Sequence, residues 1–167
     1  LKSAGLVKVE IERSINAINL TLFVARPGMV IGRGGGGLEE LKKFITNLLG
    51  IKEADTKAPK ISLTVEPIKD PNLEAYLVAT NIADQLVKRL PYRRVTRNMA
   101  EKVMASGAKG VKILLSGRIA GAEIARREKI QLGTLPLSTL RATIDFAHYP
   151  ALTKSGYVGV KVWINRP

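Results

Sequence analysis

The chain has 167 residues, 46% of them hydrophobic, with 27 Lys and Arg against 14 Asp and Glu and a formal net charge of +13. That apolar content excludes a basic disordered tail, and the lack of cysteine excludes disulfides and thiolate metal sites. No apolar run reaches the 18 residues of a membrane span, and no signal-peptide pattern opens the chain, so no membrane partner is expected. An excess of cations on a chain that can build a core is the electrostatic footprint of nucleic-acid binding. It is uneven: residues 1–90 hold 13 basic and 10 acidic side chains, net +3, and residues 91–167 hold 14 and 4, net +10. The start at Leu1 without Met, and the stop at Arg166-Pro167 directly after a strand, predict a longer protein trimmed at both ends.

Val7, Val9 and Ile11 alternate with Lys8, Glu10 and Glu12, which predicts a half-buried strand. Ile18, Leu20, Leu22 and Val24 repeat the pattern after a turn at Ser14–Ala17, so the two segments predict an antiparallel hairpin. Pro27-Gly28 ends the second strand, and residues 28–31 fit one short helical turn. From Leu38 to Leu49 the positions Leu38, Leu41, Ile45, Leu48 and Leu49 make the apolar face of an amphipathic helix stopped by Gly50. Ile61, Leu63 and Val65 predict a third strand, closed by Pro67.

Asp70-Pro71-Asn72 is the expected domain boundary. A helix is expected from Leu73 to about Leu90, with Val78, Ile82, Leu86 and Leu90 on one face. Pro91 ends it and starts a second helix, Tyr92 to Ser106-Gly107, whose buried stripe is Val95, Met99 and Val103. Three or four strands follow. They are Val111–Leu115, a charged segment over Glu123–Gln131, Leu140–Phe146 and Val158–Ile164. Helix, helix and strands predict a two-layer α/β domain with two helices on a mostly antiparallel sheet.

Between Pro27-Gly28 and the helix at Leu38 lies Val30-Ile31-Gly32-Arg33-Gly34-Gly35. A glycine loop opening onto a helix leaves backbone N–H groups free to meet an anion, where the helix dipole is positive. Gly32 and Gly35 bracket two residues, the spacing by which a KH domain clamps a nucleic-acid backbone, and this makes Gly32, Arg33, Gly34 and Gly35 a candidate RNA-binding loop. Gly32, Gly34 and Gly37 also fit G-x-G-x-x-G. A dinucleotide site, however, needs a strand running straight into the first glycine, and here a turn intervenes. A merely flexible turn is the third reading.

Tyr92-Arg93-Arg94-Val95-Thr96-Arg97 sets Arg93 and Arg97 one helical turn apart with Arg94 flanking both. Guanidiniums in that arrangement fork onto successive phosphates and stack on exposed bases. Only Glu101 is in reach as a compensating acid, which favours RNA contact over a solvated face. Arg118, Arg126, Arg127 and Lys129 decorate a glycine-containing loop and the strand after it, and extend the candidate basic surface.

Catalytic and metal constellations are poor. His148 is the sole histidine, and Asp145, three positions away on a strand, points to the other face. Glu39-Glu40 reads as helix N-terminal charge, and Trp163 and the methionines as core or interface packing. No catalytic residue, metal site or cofactor is expected.

Six blocks carry a resemblance: Ala25-Arg26-Pro27-Gly28-Met29-Val30-Ile31-Gly32, Gly107-Ala108-Lys109-Gly110, Ser116-Gly117-Arg118, residues 121–126, residues 136–142 and residues 159–164. In this order they resemble the bacterial small-subunit ribosomal protein S3 (uS3) family over essentially the whole chain. The resemblance implies a type II KH domain over residues 1–70 and a C-terminal α/β domain over 71–167. It implies binding to 16S rRNA in the head of the small subunit, beside ribosomal proteins ten and fourteen, in the cytoplasm. It also implies that Arg93, Arg94 and Arg97 border the channel by which mRNA enters and help to separate its secondary structure. The family often carries two basic residues between the paired glycines, where this chain has Arg33-Gly34. A free-standing KH-type RNA chaperone or regulator is the alternative. A nucleotide-dependent enzyme or nuclease would need a carboxylate cluster or a nucleotide fingerprint, and neither is present in the sequence.

Overall fold

A computed structural model describes residues 4–50 and 60–167. The chain divides into two compact units, Leu1–Lys69 and Asp70–Pro167.

In the first unit β1 (Leu6–Arg13) and β2 (Ala17–Val24) form an antiparallel hairpin, with Ile11 opposite Leu20. β3 (Lys60–Pro67) pairs in parallel with β2, giving the order β1-β2-β3. Parallel neighbours need a crossover, and α1 (Pro27–Ile31) and α2 (Gly36–Leu48) lie along it, both packed on β3. The core gathers Ala4, Leu22, Val24 and Val30, with Leu41, Leu63 and Val65 against them.

Two expectations fail here in the same way. Val9 and Ile11 share the face of Leu20 and Leu22, yet Ile11 is 66% exposed, because β1 is the sheet edge and the two helices pack on β3 instead. On α2, Leu38, Leu41 and Ile45 turn inward while Leu48 and Leu49 are exposed. The apolar stripe is longer than the small sheet surface that receives it. Thr46 is buried instead, its hydroxyl donating to the Lys42 carbonyl at 2.8 Å.

The second unit stacks α3 (Ala75–Val87) and α4 (Tyr92–Ala105) on one face of a four-stranded antiparallel sheet. Its strands are β4 (Gly110–Gly117), β5 (Arg126–Gly133), β6 (Ile144–Thr153) and β7 (Gly156–Asn165), in the order β5-β4-β7-β6. α3 packs on β6 and β7, and α4 on β4 and β5. Val111, Ile113 and Leu115 of β4 and Val158, Val160, Val162 and Ile164 of β7 meet Val78, Ile82, Val95, Met99 and Val103 of the helices. The expected α/β two-layer domain is the observed one.

Three boundaries move. α3 stops at Val87, so Leu90 leaves the apolar face and is 47% exposed. Its C-terminus closes with Arg89 N–H donating to Leu86 O at 2.9 Å and Leu90 N–H to Gln85 O at 3.2 Å, an end in which the next residue turns left-handed. The charged strand runs over Arg126–Gly133 rather than Glu123–Gln131. The strand expected over Leu140–Phe146 begins only at Ile144 and continues to Thr153. Leu140 is fully exposed among turns, with Thr139 N–H on Pro136 O and Ala142 N–H on Thr139 O. Pro150 is tolerated inside β6 because β6 is an edge strand, where a missing donor need not break the ladder.

Candidate nucleic-acid interface

α1 runs into Gly32, whose φ is +70° and whose N–H donates to Gly28 O at 3.0 Å. Arg33–Gly35 then makes a single 3-10 turn, with Gly34 at φ +65° and Gly35 at φ +83°, and α2 starts at Gly36. Three left-handed conformations within four residues, at Gly32, Gly34 and Gly35, are cheap only for glycine. Gly37 is small for another reason. A Cβ there would stand 2.5 Å from the Val30 carbonyl oxygen, so α1 and α2 approach too closely for any side chain.

The turn therefore joins helix to helix, which rules out the dinucleotide reading of Gly32, Gly34 and Gly37, since that needs a strand before the first glycine. The N-cap of α2 is Gly35, which brings no side-chain acceptor to the first amides. The Gly36 N–H is taken by Arg33 O, so the donors and positive charge at this turn come from the amides that follow and from the exposed Arg33, opposed by the single acid of the first turn, Glu39.

On α4, Val95, Thr96, Met99, Ala100 and Val103 are buried, and Arg93, Arg94 and Arg97 are exposed. Arg93 and Arg97 line one groove with Tyr92, Ile113, Glu128 and Ile130. Arg93 lies over the Tyr92 ring, 5.7 Å from its centroid, and Nε donates to the Tyr92 hydroxyl at 3.1 Å. That hydroxyl donates in turn to Glu128 Oε1 at 3.2 Å. The Tyr92 hydrogen bond, and then the Glu128 charge, hold the Arg93 guanidinium above its ordinary pKa. Glu128 is the acid that sequence spacing missed. It lies 35 positions from Arg93 and arrives through strand pairing.

Strand register distributes the remaining candidates over two faces. Glu128 pairs with Leu115 and Arg126 with Gly117, placing both on the helix side of the sheet. Arg127 pairs with Ser116 and Lys129 with Leu114, placing them on the open side beside Lys112 and Lys161. Arg118 sits in the loop after β4, its Nε donating to Ala122 O at 2.9 Å. One continuous basic surface was expected from these residues. β5 instead alternates its charges through the sheet.

The open face also holds a group that sequence reading assigned to packing. The Phe146 and Trp163 rings stand 5.0 Å apart, with Lys112 Nζ 4.7 Å from the Trp163 centroid. Asp145 faces the helices and is engaged with Ala75 and Arg166, while His148 is exposed on the other side of β6. No group of three metal-ligating side chains occurs among the described residues.

A hairpin, a helix–glycine turn–helix and a parallel third strand, followed along the chain by a helix-covered antiparallel sheet, define a KH-domain protein with an appended α/β domain. Comparison agrees on both parts. The KH domain family matches residues 1–73, and the family described as ribosomal protein S3, C-terminal domain, matches residues 82–164. The small ribosomal subunit protein uS3 of Brevibacillus brevis is 46% identical over 166 residues, covering 99% of this chain and 72% of its own length. That of Lactobacillus delbrueckii subsp. bulgaricus is 48% identical, at 99% and 71% coverage, and that of Rhodopirellula baltica 46% identical, at 99% and 66%. The chain thus spans 66–72% of the length of these relatives. It belongs to the uS3 family of small ribosomal subunit proteins.

Proposed function

We propose that the chain binds 16S rRNA in the head of the small subunit and faces incoming mRNA with α4. Residues 1–70 act as a type II KH domain and residues 71–167 as the main electrostatic anchor. The observation that carries this reading is the row Arg93, Arg94 and Arg97, exposed on α4 opposite the face that buries Val95, Met99 and Val103. Such a row neutralises successive phosphates of a strand and stacks on its bases. Gly32, Arg33, Gly34 and Gly35 clamp a second stretch of backbone, and Arg118, Arg126, Arg127 and Lys129 add phosphate contacts. Any separation of mRNA hairpins is passive: translocation pulls the message and the arginines hold the freed strand. The working place is the cytoplasmic ribosome, with ribosomal proteins ten and fourteen as neighbours. The measurement is translation by subunits carrying Arg94→Ala with Arg97→Ala, since Arg93 also holds Tyr92. The variant assembles into 30S particles and slows on a message with a hairpin more than on an unstructured one. Equal slowing on both overturns the mRNA role in favour of rRNA docking, and failure to assemble makes the arginines structural contacts.

A further inference from the structure

A cleft of about 430 Å³ opens in the second unit where the α3–α4 junction meets the loop after β4 and the β6–β7 turn. Its apolar wall is Leu86, Leu90, Pro91, Ile119 and Val158, and Tyr92 also lines it. Arg89, Arg118 and Lys154 bring three cations to it, and among the described residues no carboxylate lines it. The volume lies in the range of small-ligand sites, and a planar apolar group carrying an anion fits that lining.

The backbone marks the same place. Arg89, at φ +60°, and Ala120, at φ +56°, are the non-glycine residues with positive φ among the described residues, and both line this cleft. Arg89 occupies the left-handed position after the α3 C-terminus, where glycine is the easy choice. Arginine there is strained, and the strain puts a cation at the mouth of the cleft. Strained conformations of this kind concentrate where a ligand is held. Arg118 is pinned by its bond from Nε to Ala122 O, which leaves the rest of its guanidinium fork for a phosphate.

We propose that this cleft takes one nucleotide unit of a single-stranded RNA. The base lies against Leu86, Leu90, Pro91 and Tyr92, and the phosphate is held by Arg89, Arg118 and Lys154. The inference rests on the RNA-binding reading for the source of the nucleotide, and not for the site itself.

The test titrates the full chain with AMP and with the hexanucleotide rA6, following amide NMR shifts and thermal unfolding. Both ligands shift the Ala120 and Ser155 amides, and rA6 binds at least tenfold more tightly. Arg89→Gly weakens both ligands at least fivefold while raising the Tm, because glycine relieves the strained backbone; a purely structural arginine gives the higher Tm alone. Lys154→Ala weakens both without moving the Tm. Arg94→Ala with Arg97→Ala weakens rA6 and leaves AMP unchanged, so the cleft and the arginine helix fail separately. AMP binding equal to rA6 supports the site and assigns free nucleotide as its source. The proposal is overturned if neither ligand moves the Ala120 and Ser155 amides, if Arg89→Gly binds both as the parent does, or if hexaglutamate produces the same shifts as AMP.

Discussion

Asp145 Oδ2 stands 2.8 Å from the Ala75 backbone nitrogen, so a carboxylate on β6 caps the first turn of α3 from 70 positions away. The same oxygen accepts a bond from Arg166 Nη2 at 3.1 Å, and that nitrogen also reaches Glu74 Oε2 at 2.9 Å. Burial opposes the Arg166 charge, but the Asp145 hydrogen bond and the Glu74 charge outweigh it and hold the guanidinium above its ordinary pKa. The start of α3, strand β6 and the residue that follows β7 by one position are thereby tied by one acid. Asp145→Ala is expected to lower stability by about 1–2 kcal/mol, mostly as a lost cap, since a partly exposed ion pair adds little. Urea unfolding of the variant checks this. A change within error would make the bond incidental.

Gly34 and Gly37 are three residues apart in one loop and face opposite demands. A Cβ on Gly34 meets nothing within 4 Å, while one on Gly37 strikes the Val30 carbonyl. Gly34→Ala is expected to cost about 1 kcal/mol for its left-handed backbone. Gly37→Ala is expected to cost about 2 kcal/mol or more through overpacking of α1 against α2. Hydrogen exchange at Val24 and Leu22 reports the difference, and equal protection in both variants would count against the close approach.

Gly34→Asp puts a negative charge on the turn at the same open position. RNA affinity is expected to fall at least threefold at 0.1 M salt, with circular dichroism unchanged. Unaltered affinity would leave the glycine turn as a connector.

Glu128 subtracts from the positive groove that Arg93 and Arg97 line. Glu128→Gln keeps an acceptor for the Tyr92 hydroxyl and removes the charge. Single-stranded RNA is expected to bind two- to fivefold more tightly at 0.05 M salt, with the gain shrinking at 0.3 M as screening grows. A gain independent of salt would point to a geometric rather than an electrostatic role.

Two phosphate contacts carry a defined salt signature. With Arg94 and Arg97 replaced by Ala, the slope of log affinity against log salt should flatten by about 1.4 for single-stranded RNA. Stability should stay within about 0.5 kcal/mol, because both side chains are exposed. Filter binding at four salt concentrations measures the slope. An unchanged value would mean that neither arginine meets a phosphate in this complex.

The parts of the fold legible in the sequence are those where one face meets a helix layer. Val111, Ile113 and Leu115 alternate because every second residue of β4 is buried, and α4 shows its 3.6-residue stripe for the same reason. Edges misled. Val9 and Ile11 have the pattern of a covered strand without the cover, and Leu137 and Leu140 are apolar residues in exposed turns. Charge clustering made the arginine row visible, since its members are local. Glu128 beside Arg93, the split of β5 across the sheet and the convergence of Arg89, Arg118 and Lys154 depend on pairing and loop closure between distant segments, which local patterns do not encode.

The sheet order β5-β4-β7-β6 sets a timetable for synthesis. β4 is the first strand of the second unit to be made, and β5 can join it as a hairpin within microseconds once available. Its other neighbour, β7, ends at Asn165, 48 residues after Gly117. At roughly 5–20 residues per second, β4 waits about 2–10 s with one edge unpaired. α3 and α4 are already complete by then and can shield Val111, Ile113 and Leu115 during the wait. The helices of this unit precede its strands in the chain, and the newborn sheet therefore always has a lid.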